Sequence, residues 1–495
     1  MTSPNPAGPA ADLPLDGDVL VCGSYGTEGR PGRTAALPRS AWVDRLAAVR
    51  RTAFKPAWIA FALTVALLGA WFGRSSGGPE SSSSTSVARP GATASGPVDS
   101  NALAGVGSNS ADPVARLEKR VADDPADWQS WAELGAEDVT AARIASDPSN
   151  YPRAEKAIAR SLEINAGPEN WEAVAADAAL AAGRHDFRKA LPLAEQAQRL
   201  RPNSSYVLAI LVDSLTELGR YDDAVAAAQD MIDLKPNVAS YARVSYQREL
   251  HGDDQGAFVA MSQAYAAAGS AADRAFGQYY LGEIEFNRGR YDAAAGHYRQ
   301  TLRFDPRSGG ATAGLGKVAA AKGDRKTAVA RYEKAVGLFP DPELLKELGD
   351  LYTATGNGAK AAAAYAESEN SNARQAANGV DVNLEIALAS ADRKVDLDRG
   401  LKAAMDEWSL RQSIHVADAL AWQLFTHGRF EEALDFSNIA LKLGTRNAGF
   451  YFHRAEIHKA LGRSAEATAD YETARSINPH FSFLYKPPPT NGSGS

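Results

Sequence analysis

Cysteine is almost missing from this chain: among 495 residues there is one, Cys22. A single thiol excludes an intramolecular disulfide and any multi-cysteine zinc or iron–sulfur site. Eight histidines and four methionines leave few other metal ligands. Charge of one sign is not in excess either. Lys plus Arg is 53, Asp plus Glu is 60, and the formal net charge is −7. There is therefore no basic stripe of the kind that neutralises nucleic-acid phosphates. Strand-like alternation of any length is absent too. These gaps disfavour metalloenzymes, disulfide scaffolds and nucleic-acid-binding proteins. What remains is an Ala-rich chain too long for one compact core, so two or three domains or an extended repeat array are expected.

Residues 1–38 are rich in Pro, Gly and Ala without helical or strand period, and read as a disordered N-terminal tail. Leu20-Val21-Cys22-Gly23 ends like a lipobox. However, Asp12, Asp16 and Asp18 precede it where a basic and then apolar run would be needed, so Cys22 reads as an ordinary thiol. Over 39–55, Trp42, Val43, Leu46, Ala47 and Val49 recur near helical spacing among Arg45, Arg50 and Arg51. A basic amphipathic helix on a membrane surface and a solvated basic linker both fit this juxtamembrane segment.

Residues 56–73, PAWIAFALTVALLGAWFG, contain no charge. At helical rise they span about 27 Å, close to a bilayer core. Trp58 near one end, with Trp71 and Phe72 at the other, matches an aromatic belt. A buried core helix would need neighbours to cover it, and a cleaved signal would start earlier, so an uncleaved transmembrane helix is expected. Arg39, Arg45, Arg50, Arg51 and Lys55 precede the span, whereas only Arg74 and Arg89 follow closely. That bias places the N-terminus in the cytoplasm and the rest outside the membrane. Residues 74–111 are a Gly/Ser/Pro-rich linker, and Asp112-Pro113 then reads as an N-cap with Pro at the first helical position.

Beyond the linker the chain repeats itself. Pro202, Pro236, Pro306 and Pro340 close helical stretches at gaps of 34, 70 and 34. Gly289-Arg290-Tyr291 and Gly323-Asp324-Arg325 are 34 apart, as are Gly428-Arg429-Phe430 and Gly462-Arg463-Ser464. Leu134-Gly135, Leu281-Gly282, Leu315-Gly316 and Leu348-Gly349 recur ahead of the turns, and Ala190, Ala224, Ala257, Ala294, Ala328, Ala361, Ala433 and Ala467 behind them. Tyr298, Tyr332, Tyr365 and Tyr471 share a later register position. Small residues let two helices approach, the turn Gly supplies a left-handed backbone, and Pro stops the second helix.

At these residues the chain resembles the tetratricopeptide repeat family, and the whole looks like a membrane-anchored member of bacterial type. The resemblance implies an all-α fold: a right-handed superhelical solenoid of about ten helix-turn-helix repeats over 112–480, preceded by a single transmembrane helix and followed by a C-terminal tail at 481–495. Each pair is expected to contact only its neighbours. Two units depart from the pattern: Arg184-His185-Asp186 reads as extra turn residues in the second, and Ser146–Pro152 is inserted in the first. The stretch 369–413 departs furthest, lacking Leu-Gly and a closing Pro.

Catalytic arrangements are not found. Gly309–Lys317 superficially resembles a phosphate loop, but Ala311 stands where Gly is needed and Val318 where Ser or Thr is needed. His453 and His458 are five apart, and His415 and His427 show no ligand spacing, so the histidines read as scattered surface residues. No catalytic, metal or cofactor residue is assigned, and no enzyme activity is expected.

The resemblance directs attention to the concave groove, faced by the fifth and ninth places of each first helix. In this sequence those places hold Asp213, Tyr246, Tyr279, Glu283, Lys317, Lys346, Asp350, Asp418, Trp422, Phe452 and Glu456. The Lys, Asn and Arg set with which some family members clamp a terminal carboxylate is absent, so that ligand is not carried over. The expectation is a non-enzymatic scaffold, tethered to the membrane through 56–73, that binds other proteins or peptides and no nucleic acid. Two alternatives are a subunit or chaperone of a cell-envelope assembly system (cytochrome maturation, secretion or pilus type) and an accessory partner of an envelope enzyme.

Overall fold

The computed structural model describes residues 113–144 and 146–489. The expected tail at 1–38, juxtamembrane segment at 39–55, membrane span at 56–73 and linker at 74–111 lie outside these residues. Among the described residues the chain forms twenty-one α-helices and no strand. None of those helices is long and apolar enough to cross a membrane.

A first helix, α1 (Pro113–Asp123), stands alone, starting at the expected Pro. Its Leu117 and Val121 cover Leu134 and Ala157 of the next pair. Ten antiparallel pairs follow. They are α2/α3 (Trp128–Ile144, Tyr151–Ile164), α4/α5 (Trp171–Gly183, Phe187–Leu200), α6/α7 (Ser205–Glu217, Tyr221–Leu234) and α8/α9 (Val238–Leu250, Asp254–Ala266). Then come α10/α11 (Ala271–Asn287, Tyr291–Phe304), α12/α13 (Gly309–Ala321, Arg325–Leu338) and α14/α15 (Pro342–Ala354, Gly358–Ala377). The last three are α16/α17 (Asn383–Arg393, Leu397–Leu410), α18/α19 (Ile414–Thr426, Phe430–Ala440) and α20/α21 (Ala448–Ala460, Ser464–Ile477).

The recurring residues do the packing expected of them. A Cβ on Gly282 would lie 2.6 Å from the Tyr298 ring, one on Gly316 2.8 Å from Tyr332, and one on Gly349 2.5 Å from Tyr365. The small residue of the first helix and the tyrosine of the second are thus direct partners. The divergent stretch also folds into a pair, α16/α17, where Lys394 (φ 55°) and Asp396 (φ 48°) take the left-handed turn conformation without glycine. In α2/α3 the inserted residues form a short 3-10 turn, Pro148–Asn150.

Two expectations are corrected. Arg184-His185-Asp186 adds nothing to its turn, because His185 (φ 64°) occupies the turn-glycine register. Its left-handed backbone is held by a 2.7 Å hydrogen bond from ring Nδ1 to the Asp381 carbonyl and by stacking on Phe187. The second correction concerns connectivity. Pairs do not contact only their neighbours, since residues roughly 190 positions apart meet repeatedly. The Arg184 carbonyl accepts from Asp381 N at 2.9 Å, Ile414 N donates to the Tyr221 hydroxyl at 2.8 Å, and Asn478 Nδ2 donates to the Phe286 carbonyl at 3.0 Å. Arg411 reaches Glu217 at 2.6 Å with both side chains buried. The solenoid coils tightly enough that later pairs stack on earlier ones, and one hydrophobic core joins Tyr221, Tyr246 and Tyr280 to Ile414, Trp422, Phe452 and Ile477.

Candidate inner binding face

At the fifth and ninth places most polar side chains are already committed to partners within the solenoid. Asp213 receives two bonds from Arg243, at 2.9 and 2.7 Å, with both residues buried. Glu283 accepts from Lys317 Nζ at 2.9 Å, a bridge spanning one repeat. Lys346 holds Asp350 and Asp392 at 2.9 Å each. Asp418 pairs with His453 at 3.0 Å. A charge taken from water without a partner costs several kcal/mol, so each buried one here is paired with an opposite charge.

A second pattern couples the two helices of a pair. Tyr298 donates its hydroxyl to Glu283 at 2.7 Å, Tyr365 to Asp350 at 2.8 Å, and Tyr471 to Glu456. In each case the carboxylate lies fifteen residues before the tyrosine. Tyr332 breaks the rule because Lys317, fifteen before it, cannot accept. Its hydroxyl turns instead to Glu347 of the following pair, at 2.9 Å. The carboxylate-to-tyrosine spacing was present in the sequence and could have been found there.

The aromatics divide in the same way. Tyr246, Trp422 and Phe452 are buried, whereas Tyr279 is half-buried, as are Lys317, Lys346 and Glu456. Trp422 stacks between Phe425 (4.7 Å) and His453 (4.2 Å) and donates from its ring nitrogen to Asp392 at 3.2 Å. The histidines are therefore not all surface residues: His453 is packed inside. Burial alone would lower its pKa, but the Asp418 carboxylate outweighs this and raises it above the ordinary value. Burial pushes His185 down to about 4, so its ring is neutral. Among the described residues no group of three or more His, Cys, Asp or Glu could hold a metal ion.

Sequence reasoning missed what lies on this face. Residues 479–489, the start of the C-terminal tail, run non-helically back across it. Phe481 packs on Phe452 at 5.4 Å, Phe483 on Tyr332 at 5.6 Å, and Tyr485 on both Trp422 (5.8 Å) and Phe452 (5.4 Å). The Tyr485 hydroxyl donates to the Asp392 carbonyl at 2.8 Å. No periodicity marks such a contact; only the recurrence of three aromatics at alternate positions, after the last helix, could have suggested it.

The fold and this face define an α-solenoid of stacked helix pairs. Sequence models described as tetratricopeptide repeat match residues 174–239, 259–309 and 314–377, and a second such model matches 448–481. The matched helix pairs are tetratricopeptide repeats. Within the unmatched residues, 378–447 folds as pairs without Leu-Gly and a closing Pro. No curated protein matches the sequence. Among solved structures, two crystal structures of MamA are 21% and 20% identical, cover 34% of this chain and 91% and 96% of theirs, with TM-scores of 0.28 and 0.27. The crystal structure of the APC/C hetero-tetramer Cut9–Hcn1 is 16% identical, covering 70% of this chain and 74% of that chain, with a TM-score of 0.36.

Proposed function

We propose that this protein is a non-enzymatic scaffold that binds partner proteins on the inner face of its repeat solenoid and is tethered to the membrane through residues 56–73. One observation carries the binding half: a non-helical stretch of polypeptide already packs on Trp422, Phe452 and Tyr332. A surface that accommodates the chain's own tail has the chemistry to accommodate another non-helical segment. Aromatic side chains suit this because they bury large area at low entropic cost. The tether rests on the uncharged run and its flanking arginines.

Each half has its own test. An export-dependent reporter fused after Gly91 is expected to be active, and replacing Arg45, Arg50, Arg51 and Lys55 with neutral residues should mix the orientations. Activity of a cytoplasm-only reporter at Gly91 would refute the outward placement. For binding, Tyr279→Ala and Trp422→Ala separate surface from core. Trp422→Ala should lower stability by about 3–5 kcal/mol because it empties a buried site. Tyr279→Ala removes a half-buried ring packed on Tyr280 and Tyr298, so it should lower the melting temperature less than Trp422→Ala while weakening capture of membrane partners by the full chain. Unchanged capture by Tyr279→Ala, with Lys346→Ala giving the same result, would sink the inner-face reading.

A further inference from the structure

The C-terminal tail has a feature that a structural cap does not need. Its backbone N–H bonds are local: His480 to the Asn478 side chain at 2.9 Å, and Leu484 and Tyr485 to the Ser482 hydroxyl at 3.1 and 3.3 Å. Attachment to the helices comes from the three half-buried rings of Phe481, Phe483 and Tyr485, His480 edge-on to Tyr291 at 5.8 Å, the Tyr485 hydroxyl on Asp392, and Arg475 on the Pro488 carbonyl. The three rings reach residues on α13, α18 and α20, His480 reaches α11 and the hydroxyl reaches α16, so five pairs contribute to the seat. Trp422 and Phe452, which the register places on the inner face, are the residues that Tyr485 covers. Anchoring by alternate side chains of a non-helical segment, with no strand pairing to the helices, is one way a peptide ligand is held.

We propose that residues 479–489 are an intramolecular pseudo-ligand that closes this part of the inner face. The partner that replaces them is a non-helical protein segment with aromatic side chains at alternate positions, patterned like Phe481-x-Phe483-x-Tyr485. This inference rests on the scaffold reading and names both its partner chemistry and its regulation. The partner's first and third rings take the Phe452–Trp422 surface, its middle ring takes Tyr332, and a hydroxyl on the third ring bonds the Asp392 carbonyl. Asn478 is not part of the exchange, because it is fastened to Phe286 and Tyr291 at 3.0 and 2.7 Å and fixes where the tail begins.

The test uses the full chain and, as probe, a fluorescent peptide with the sequence of residues 478–489. Three proteins are compared by anisotropy: the intact chain, the chain ending at Asn478, and the full-length triple variant Phe481→Ser, Phe483→Ser, Tyr485→Ser. A tethered ligand competes at an effective concentration near millimolar, so the truncated and triple-variant chains should bind the probe about tenfold or more tighter than the intact chain. A control peptide with the aromatics moved to adjacent positions should not bind. Equal binding by all three proteins, or none by any, overturns the proposal. Loss of helicity in both altered chains overturns it as well, since the tail would then be a cap. An intact chain that is dimeric, and becomes monomeric on truncation, assigns the seat to a second copy's tail and also overturns it. Membrane-partner capture that is equal with and without the tail would leave the scaffold reading standing and remove only the gate.

Discussion

At the scale of single residues, the turn glycines illustrate how one signal conceals two jobs. Gly219 (φ +75°) and Gly356 (φ +77°) both take the left-handed conformation that any helix turn of this type requires. A Cβ at Gly356 would meet open space, whereas one at Gly219 would drive into the Gln412 carbonyl oxygen of the stacked turn. Gly356→Ala should therefore cost only the backbone penalty, about 1–2 kcal/mol. Gly219→Ala should cost that and a displacement of the α17–α18 connection, and so lower the melting temperature clearly more. Equal melting curves for the two variants would show that the stacked contact contributes nothing. The first job was legible wherever glycine fills the turn, because left-handed backbone favours Gly locally. The second was not, because the atom it avoids is 193 residues away. His185 shows the reverse case, a turn that the sequence hid because a long-range hydrogen bond to Asp381 stands in for glycine.

At the scale of elements, the junction between α6 and the α16–α18 segment concentrates charge. Arg411 faces Glu217 and Glu407 directly, lies over the Phe187 ring at 5.3 Å, and has Glu385 and Asp381 nearby. One guanidinium serves several carboxylates, so negative charge is in surplus. Burial, against the opposing pull of Arg411, raises Glu407 from its ordinary 4.5 to about 7, and burial raises Glu217 and Glu385 as well. A carboxyl whose folded pKa is raised binds its proton more tightly folded than unfolded. Its contribution to stability is then full below about 4.5 and is lost as pH rises through about 7. Glu407→Gln should flatten that decline, with melting temperature changing less than wild type between about pH 5 and pH 7.5. A parallel pH profile in the variant would remove Glu407 from the account. Arg411→Met leaves buried carboxylates unpaired and should destabilise by about 3–5 kcal/mol. None of these partners could be paired from the sequence, where Glu217 and Arg411 are merely two charged residues near helix ends.

At the scale of the described solenoid, stacking changes how the chain should unfold. A repeat array held only by neighbour contacts loses its ends progressively. Here the core that joins α8 and α10 also contains α18, α20 and α21. Hydrogen exchange on the full chain should accordingly show these helices opening as one unit, at a single free energy. Arg411→Met, by weakening the junction, should split that unit into an early and a late group. Independent opening of α20 and α21 in the unmodified chain would contradict the shared core.

The 34-residue period, the all-α class, the ten pairs and the identity of their packing residues were determined by sequence alone. They are local: Gly, Ala, Tyr and Pro act on helices within one repeat or the next, and a repeating pattern displays them many times over. The fifth and ninth places could be counted back from each turn for the same reason. What the tertiary structure decided is how the pairs curve and what that curvature brings together. Small rotations between successive pairs accumulate over nearly six units before Gly219 meets Gln412, or Thr445 meets the Leu250 carbonyl. No residue spacing encodes that sum. The same curvature places Tyr332, Asp392, Trp422 and Phe452 around one strip of surface, and only that convergence gives Phe481, Phe483 and Tyr485 a seat.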